Sequence, residues 1–126
     1  MYIVGRIDRE KFKAISQDIT TDEVIITDER IAHIEARHPG DFQKYGQYIP
    51  EILSRYNYML KDELPNTALL LKRLHDVDGA IVELVLRLHT SSDDPKFSNS
   101  VLSLWSIGEG KYHQYERNKN ILDKQE

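Results

Sequence analysis

The chain has 126 residues, enough for one compact domain spanning 1–126 and too few for two. Hydrophobic residues make up 40% and charged residues 30%, a balance that excludes a disordered tail, a collagen-like chain and a coiled-coil rod. The 17 Lys+Arg against 21 Asp+Glu leave a formal charge of −4, so a globally basic nucleic-acid binder is excluded while a local basic patch is not, and the absence of cysteine excludes disulfides, thiolate metal sites and a cysteine nucleophile.

In chain order, Tyr2 to Gly5 reads as a short strand, and Glu23 to Ile26 as a second, because it is short and largely β-branched. Thr27 can cap a helix, with Asp28 and Glu29 placing negative charge in its first turn. That helix is expected from Asp28 to about His38, where Pro39-Gly40 stops it. Tyr45, Ile49, Ile52, Leu53, Tyr56 and Leu60 follow at spacings of three and four and suggest a second helix, with Pro50 tolerable only near its first turn. After Pro65 the texture changes. Thr67 to Leu74 is an apolar run of strand length, and Asp78-Gly79 marks a turn. Val82, Leu84, Leu86 and Leu88 then alternate with Glu83, Val85, Arg87 and His89, the clearest period of two in the chain. Ser98 to Ile107 and Lys111 to Arg117 read as two further strands. The expected fold class is α+β, with N-terminal helices packed on a four-stranded antiparallel sheet.

The first helix carries the chemistry. At about 100° per residue, Arg30, His33 and Arg37 share one face, next to a face with Ile31, Ile34 and His38. Arginine can hold a phosphate bidentately, and histidine can transfer protons near neutral pH, so this is equipment for an anionic substrate. The plainer alternative is that Arg37 pairs with Glu29, Glu35 or another surface acid and that His38 packs, hydrogen-bonded, at the helix end. A metal site is not expected. His33 and His38 are five residues apart, which rotates the second well off the face of the first.

Further along the chain the same order of features recurs that marks a known family. Glu29-Arg30-Ile31-x-His33-Ile34-x-x-Arg37-His38-Pro39 comes first, followed by Asn66-Thr67 with Lys72 beyond an apolar run. Asn99-Ser100-Val101 then opens a strand, and Tyr112-x-x-Tyr115-x-Arg117-Asn118-Lys119 closes the series. In this the chain resembles the phage-associated branch of the barnase–EndoU–colicin–RelE-like nuclease superfamily, from about Val4 to Lys124. The resemblance implies a barnase/RelE-like ribonuclease fold and a metal-independent endoribonuclease of toxin or effector type, associated with prophages or mobile elements. No cofactor is implied. The implied partners are RNA, whether transfer RNA or another single-stranded RNA, and an antitoxin or immunity protein.

Such cleavage needs a base for the ribose 2′-OH, an acid for the leaving 5′-oxygen, and donors for the charged transition state; it yields a 2′,3′-cyclic phosphate. Carried onto this sequence, the expected catalytic set is His33, His38, Arg37, Arg117 and Ser100. The expected substrate-binding set is Thr67, Lys72, Asn99, Tyr112, Tyr115 and Lys119, with a tyrosine stacking a base. Trp105 is expected in the core. The cations Lys111, Arg117, Lys119 and Lys124 are expected to converge with Arg37 on one sheet face. Two other readings compete: a catalytically inactive nuclease-fold module that binds RNA or a partner protein, and a phage structural or packaging accessory protein. No apolar run approaches the ~20 residues needed to span a bilayer, and no secretory signal is legible, so no membrane association and a cytoplasmic location are expected.

Overall fold

The alternating apolar residues of the second half build the centre of a sheet, and the shorter β-branched runs widen it on both sides. The computed structural model describes residues 1–117 and 120–125. Its strands are β1 (Tyr2–Arg6), β2 (Glu23–Ile26), β3 (Tyr58–Lys61), β4 (Thr67–Leu74), β5 (Ala80–Arg87), β6 (Asn99–Ile107) and β7 (Ile121–Lys124). Its helices are α1 (Arg9–Phe12), α2 (Asp28–Arg37), α3 (Asp41–Tyr45), α4 (Ile49–Arg55) and α5 (Glu109–Glu116). All seven strands join one sheet in the order β1-β2-β6-β5-β4-β3-β7. Neighbours pair antiparallel except β2 and β6, which run parallel with Val24 opposite Asn99.

The period of two gives the sheet two faces. Val82, Leu84 and Leu86 of β5 and Leu70 and Leu74 of β4 point into the main core, where Phe12, Ile34, Ile49, Ile52 and Tyr56 cover them. Gly5 lets β1 approach α4, because a Cβ there would meet Leu53 Cδ1 at 2.8 Å. The other face carries Leu69, Leu71, Ile81 and Val85 and packs against Tyr112, with Leu102, Trp105 and Tyr115 partly buried beside them. Arg73 fastens α5 to this face. Its guanidinium donates twice to Glu109, at 2.5 and 2.7 Å, and lies 5.1 Å from the Tyr112 ring centre. Between β5 and β6 the register slips, so that Val85 faces Ser103 while Leu86 faces Val101. Leu102 is therefore an extra residue, a bulge of the kind that re-aims side chains beside functional sites.

The expectation of N-terminal helices on a four-stranded antiparallel sheet is corrected. The sheet has seven strands and is mixed, although the class remains α+β. The spaced apolar residues from Tyr45 to Leu60 do not make one helix. Pro50 cannot donate to a preceding turn, so it sits at the start of a new helix, α4, and the tail of the run leaves the helix to pair as β3 with β4. The segment Lys111 to Arg117 is helix α5 and not a strand. Tyr112 and Tyr115 are three residues apart, which is a helical spacing, and His113 reaches Glu109 and Glu116 at helical separations. Among the described residues no helix is long and apolar enough to cross a membrane.

Candidate active site

Helix α2 begins where Thr27 Oγ1 accepts the Arg30 backbone N–H at 3.2 Å. It ends at His38, whose N–H donates to the Ile34 carbonyl at 2.7 Å. Gly40 then adopts a left-handed φ of 85°, and its N–H donates to the Glu35 carboxylate. Ile34 is wholly buried in the main core and sets the rotation of the helix. With Ile34 inward, Arg30, His33, Arg37 and His38 line a cleft of about 410 Å³. Its floor is Val85, Leu102, Ser103 and Trp105 of the sheet, and its far wall is Asp62 and Leu64 from the β3–β4 turn.

Three of these helix side chains are uncommitted. Among the described residues Arg30, His33 and Arg37 make no side-chain hydrogen bond or ion pair, so neither Glu29 nor Glu35 neutralises Arg37. His38 is oriented by stacking. Its ring lies 5.0 Å from that of Trp105 at an interplanar angle of 10°. Trp105, expected in the core, is partly buried against the second apolar cluster and also forms part of the cleft floor.

Beyond Trp105 the floor carries a buried acid. Glu83 is opposite Trp105 in the β5–β6 register, its side chain is 2% exposed, and its Oε1 has no hydrogen-bond partner among the described residues. Burial pushes its carboxyl above the ordinary range, while the Tyr115 hydroxyl and the Lys111 ammonium, 3.7 Å away, pull it back. Burial and the same acid raise the Tyr115 phenol well above its usual value. Lys111 Nζ also lies 5.6 Å from the Trp105 and Tyr115 ring centres, so it joins Glu83 to the cleft floor. Glu83, Lys111, Trp105 and Arg30 were not in the expected site. The one signal for Glu83 was an acid in the middle of the most regular strand.

The remaining expected residues are dispersed. Thr67 is buried, and its hydroxyl donates to the Pro65 carbonyl. Lys72 shares the sheet face of Leu70 and Leu74, the main-core face, and so projects away from the face that carries the cleft floor. Asn99 is buried, accepting from the His89 N–H and donating to the Thr21 and Glu23 carbonyls, which ties β6 to β2. Tyr112 is buried against Tyr58, 5.7 Å between ring centres. Tyr115 is half-buried beside Lys111. Ser100 lines a neighbouring cavity and not the cleft. Arg117 is exposed at the end of α5 and is not among the cleft residues, and Lys124 lies near the Tyr58 ring. Lys119 lies outside the described residues. Among the described residues no three His, Asp or Glu side chains gather in a way that could hold a metal ion.

No curated protein and no solved structure matches the chain. Residues 2–93 match the profile of the phage-Barnase-EndoU-ColicinE5/D-RelE like nuclease3 family. The match takes in α2, with every imidazole and guanidinium of the cleft, together with Glu83, and it stops before Ser100, Trp105, Tyr112 and Arg117. Through this stretch of well over half its length, the chain belongs to that family of phage-associated nucleases.

Proposed function

We propose that the protein is a metal-independent endoribonuclease that cleaves single-stranded RNA through the ribose 2′-oxygen. The observation that carries this reading is the cleft itself, where two imidazoles and two guanidiniums from α2 and its cap face a largely apolar floor. His33 and His38 divide the proton transfers. One removes the 2′-OH proton as the 2′-oxygen bonds to phosphorus, and the other protonates the 5′-oxygen as its bond to phosphorus breaks. Arg30 and Arg37 bind the phosphate and stabilise the charge that grows on its oxygens. The products are a 2′,3′-cyclic phosphate and a 5′-OH. Stacking on Trp105 restrains the His38 ring, so its proton-transfer geometry is set before RNA binds. A ribonuclease of toxin type also needs a neutralising antitoxin or immunity protein in the cell that makes it, and that partner belongs to the proposal.

The test is purified protein with end-labelled RNA in excess EDTA. Cleavage should persist, the products should carry a cyclic phosphate, and His33→Ala should lower the rate by about 10²-fold or more. Absence of cleavage, or cleavage abolished by the chelator, would overturn the reading.

A further inference from the structure

A second cavity, of about 600 Å³, opens beside the cleft and shares Arg30 and Leu102 with it. We propose that it is a nucleobase subsite, in which an unpaired base of the nucleotide next to the scissile phosphate stacks on Phe97. The proposal rests on the ribonuclease reading and names the part of the substrate that reading leaves unplaced.

The cavity floor is apolar, formed by Ile25, Leu88 and Leu102, and Phe97 stands at its mouth with 67% of its surface exposed. A large aromatic is left in water here by a loop that is not loose. Arg87 pairs with Asp93 at 2.8 Å, and the Asp93 carboxylate also accepts the Thr90 N–H at 2.8 Å. That backbone hydrogen bond, with the Arg87 pairing, holds the Asp93 carboxyl below its usual range. His89 Nε2 lies 2.8 Å from the Asp94 carbonyl, the Phe97 N–H donates to that same carbonyl at 3.0 Å, and Ser98 Oγ donates to the Glu23 carbonyl at 3.0 Å. The loop's polar groups are spent on holding its shape, so Phe97 loses little freedom on binding a flat partner.

Charge separates what the two lobes can take. The cleft has two guanidiniums without a partner among the described residues, which favour a phosphate. The second cavity sets Glu29, Asp93 and Asp94 against Arg30 and Arg87, and Arg87 is taken up by Asp93, so above its apolar floor it offers no spare cation of its own for a second phosphate and suits a neutral planar ring. Arg30 stands at the join, where the sugar–phosphate chain would pass from one lobe to the other. Tyr112 and Tyr115, the aromatic side chains the sequence offered for stacking, are engaged against Tyr58 and beside Lys111. Base–aromatic stacking is the usual way of holding single-stranded RNA.

The test is a cycle on single-stranded RNA hexamers. Phe97→Ala should lower kcat/KM by about tenfold, as loss of one stacked base does, and Phe97→Trp should restore it. Hexamers with an abasic ribose on one side of the cleaved bond should show a similar loss with the native protein, and Phe97→Ala should add little to it. Full activity of Phe97→Ala, or losses that simply multiply, would overturn the subsite. If the native protein cleaves no RNA, the ribonuclease reading fails by itself, and the subsite is decided by hexamer binding followed through Trp105 fluorescence. About tenfold weaker binding by Phe97→Ala would then uphold it, and equal or absent binding would overturn it.

Discussion

Glu83 is the residue whose surroundings conflict most with its chemistry. A carboxylate almost without solvent, with one oxygen lacking a hydrogen bond among the described residues, is kept only partly content by Lys111 and Tyr115. Because burial raises its pKa in the fold, the native state holds this proton over a range where the unfolded chain has released it. Its contribution to stability is therefore full below the ordinary carboxylate range and is lost as pH rises through the raised native value. Glu83→Gln removes that dependence. Urea unfolding between pH 4 and pH 8 should show the native protein losing stability relative to the Gln variant as pH rises; parallel curves would mean the acid is not perturbed. The alternation of β5 marked Glu83 as facing away from the main core. That its face was covered could not be read, because the cover, α5, looked like a strand. Arg30, His33 and Arg37 were legible for the opposite reason: their grouping needs only the period of one short helix, whereas His38 reaches the cleft from the helix cap, outside that period.

At the scale of elements, α2 is the part of the site that local rules determine. Its cap, its acidic first turn and its Pro-Gly stop all lie within the segment they control, and each forms as expected. Thr27→Ala removes the acceptor for the Arg30 N–H and should cost about 1 kcal/mol. In a domain of this size that lowers the melting temperature by roughly 4 °C. A calorimetric scan checks this, and an unchanged melting temperature would mean that the helix does not depend on that cap. Elements whose identity depends on distant partners were less legible. β3 is a strand because β4 and β7 lie on either side of it, and α5 is a helix whose first residue, Glu109, is clamped by Arg73 from β4. The role of Asn99 depends on β6 running parallel to β2, across more than seventy residues of chain.

For the whole molecule, net charge is a poor guide to where a polyanion can bind. The formal charge is −4, yet the cleft sets Arg30, Arg37 and two histidines against the single carboxylate of Asp62, while three carboxylates gather at the second cavity, one of them paired with Arg87. At physiological salt the screening length is about 8 Å, so a phosphate in the cleft responds to Arg30 and Arg37 far more than to acids across the molecule. Electrostatic attraction to RNA should accordingly be local and modest. Each phosphate contact made by a cation contributes about −0.7 to the slope of log affinity against log salt for a single strand. Two guanidinium contacts predict a slope of about −1.4 for hexamer binding by the His33→Ala protein, which binds without turning over. Arg37→Gln added to that background should halve the slope, while Lys72→Gln, on the opposite face of the sheet, should leave it unchanged. A steep native slope, or one that Lys72→Gln flattens as much as Arg37→Gln does, would move the RNA path off the α2 cleft and onto the far side of the sheet.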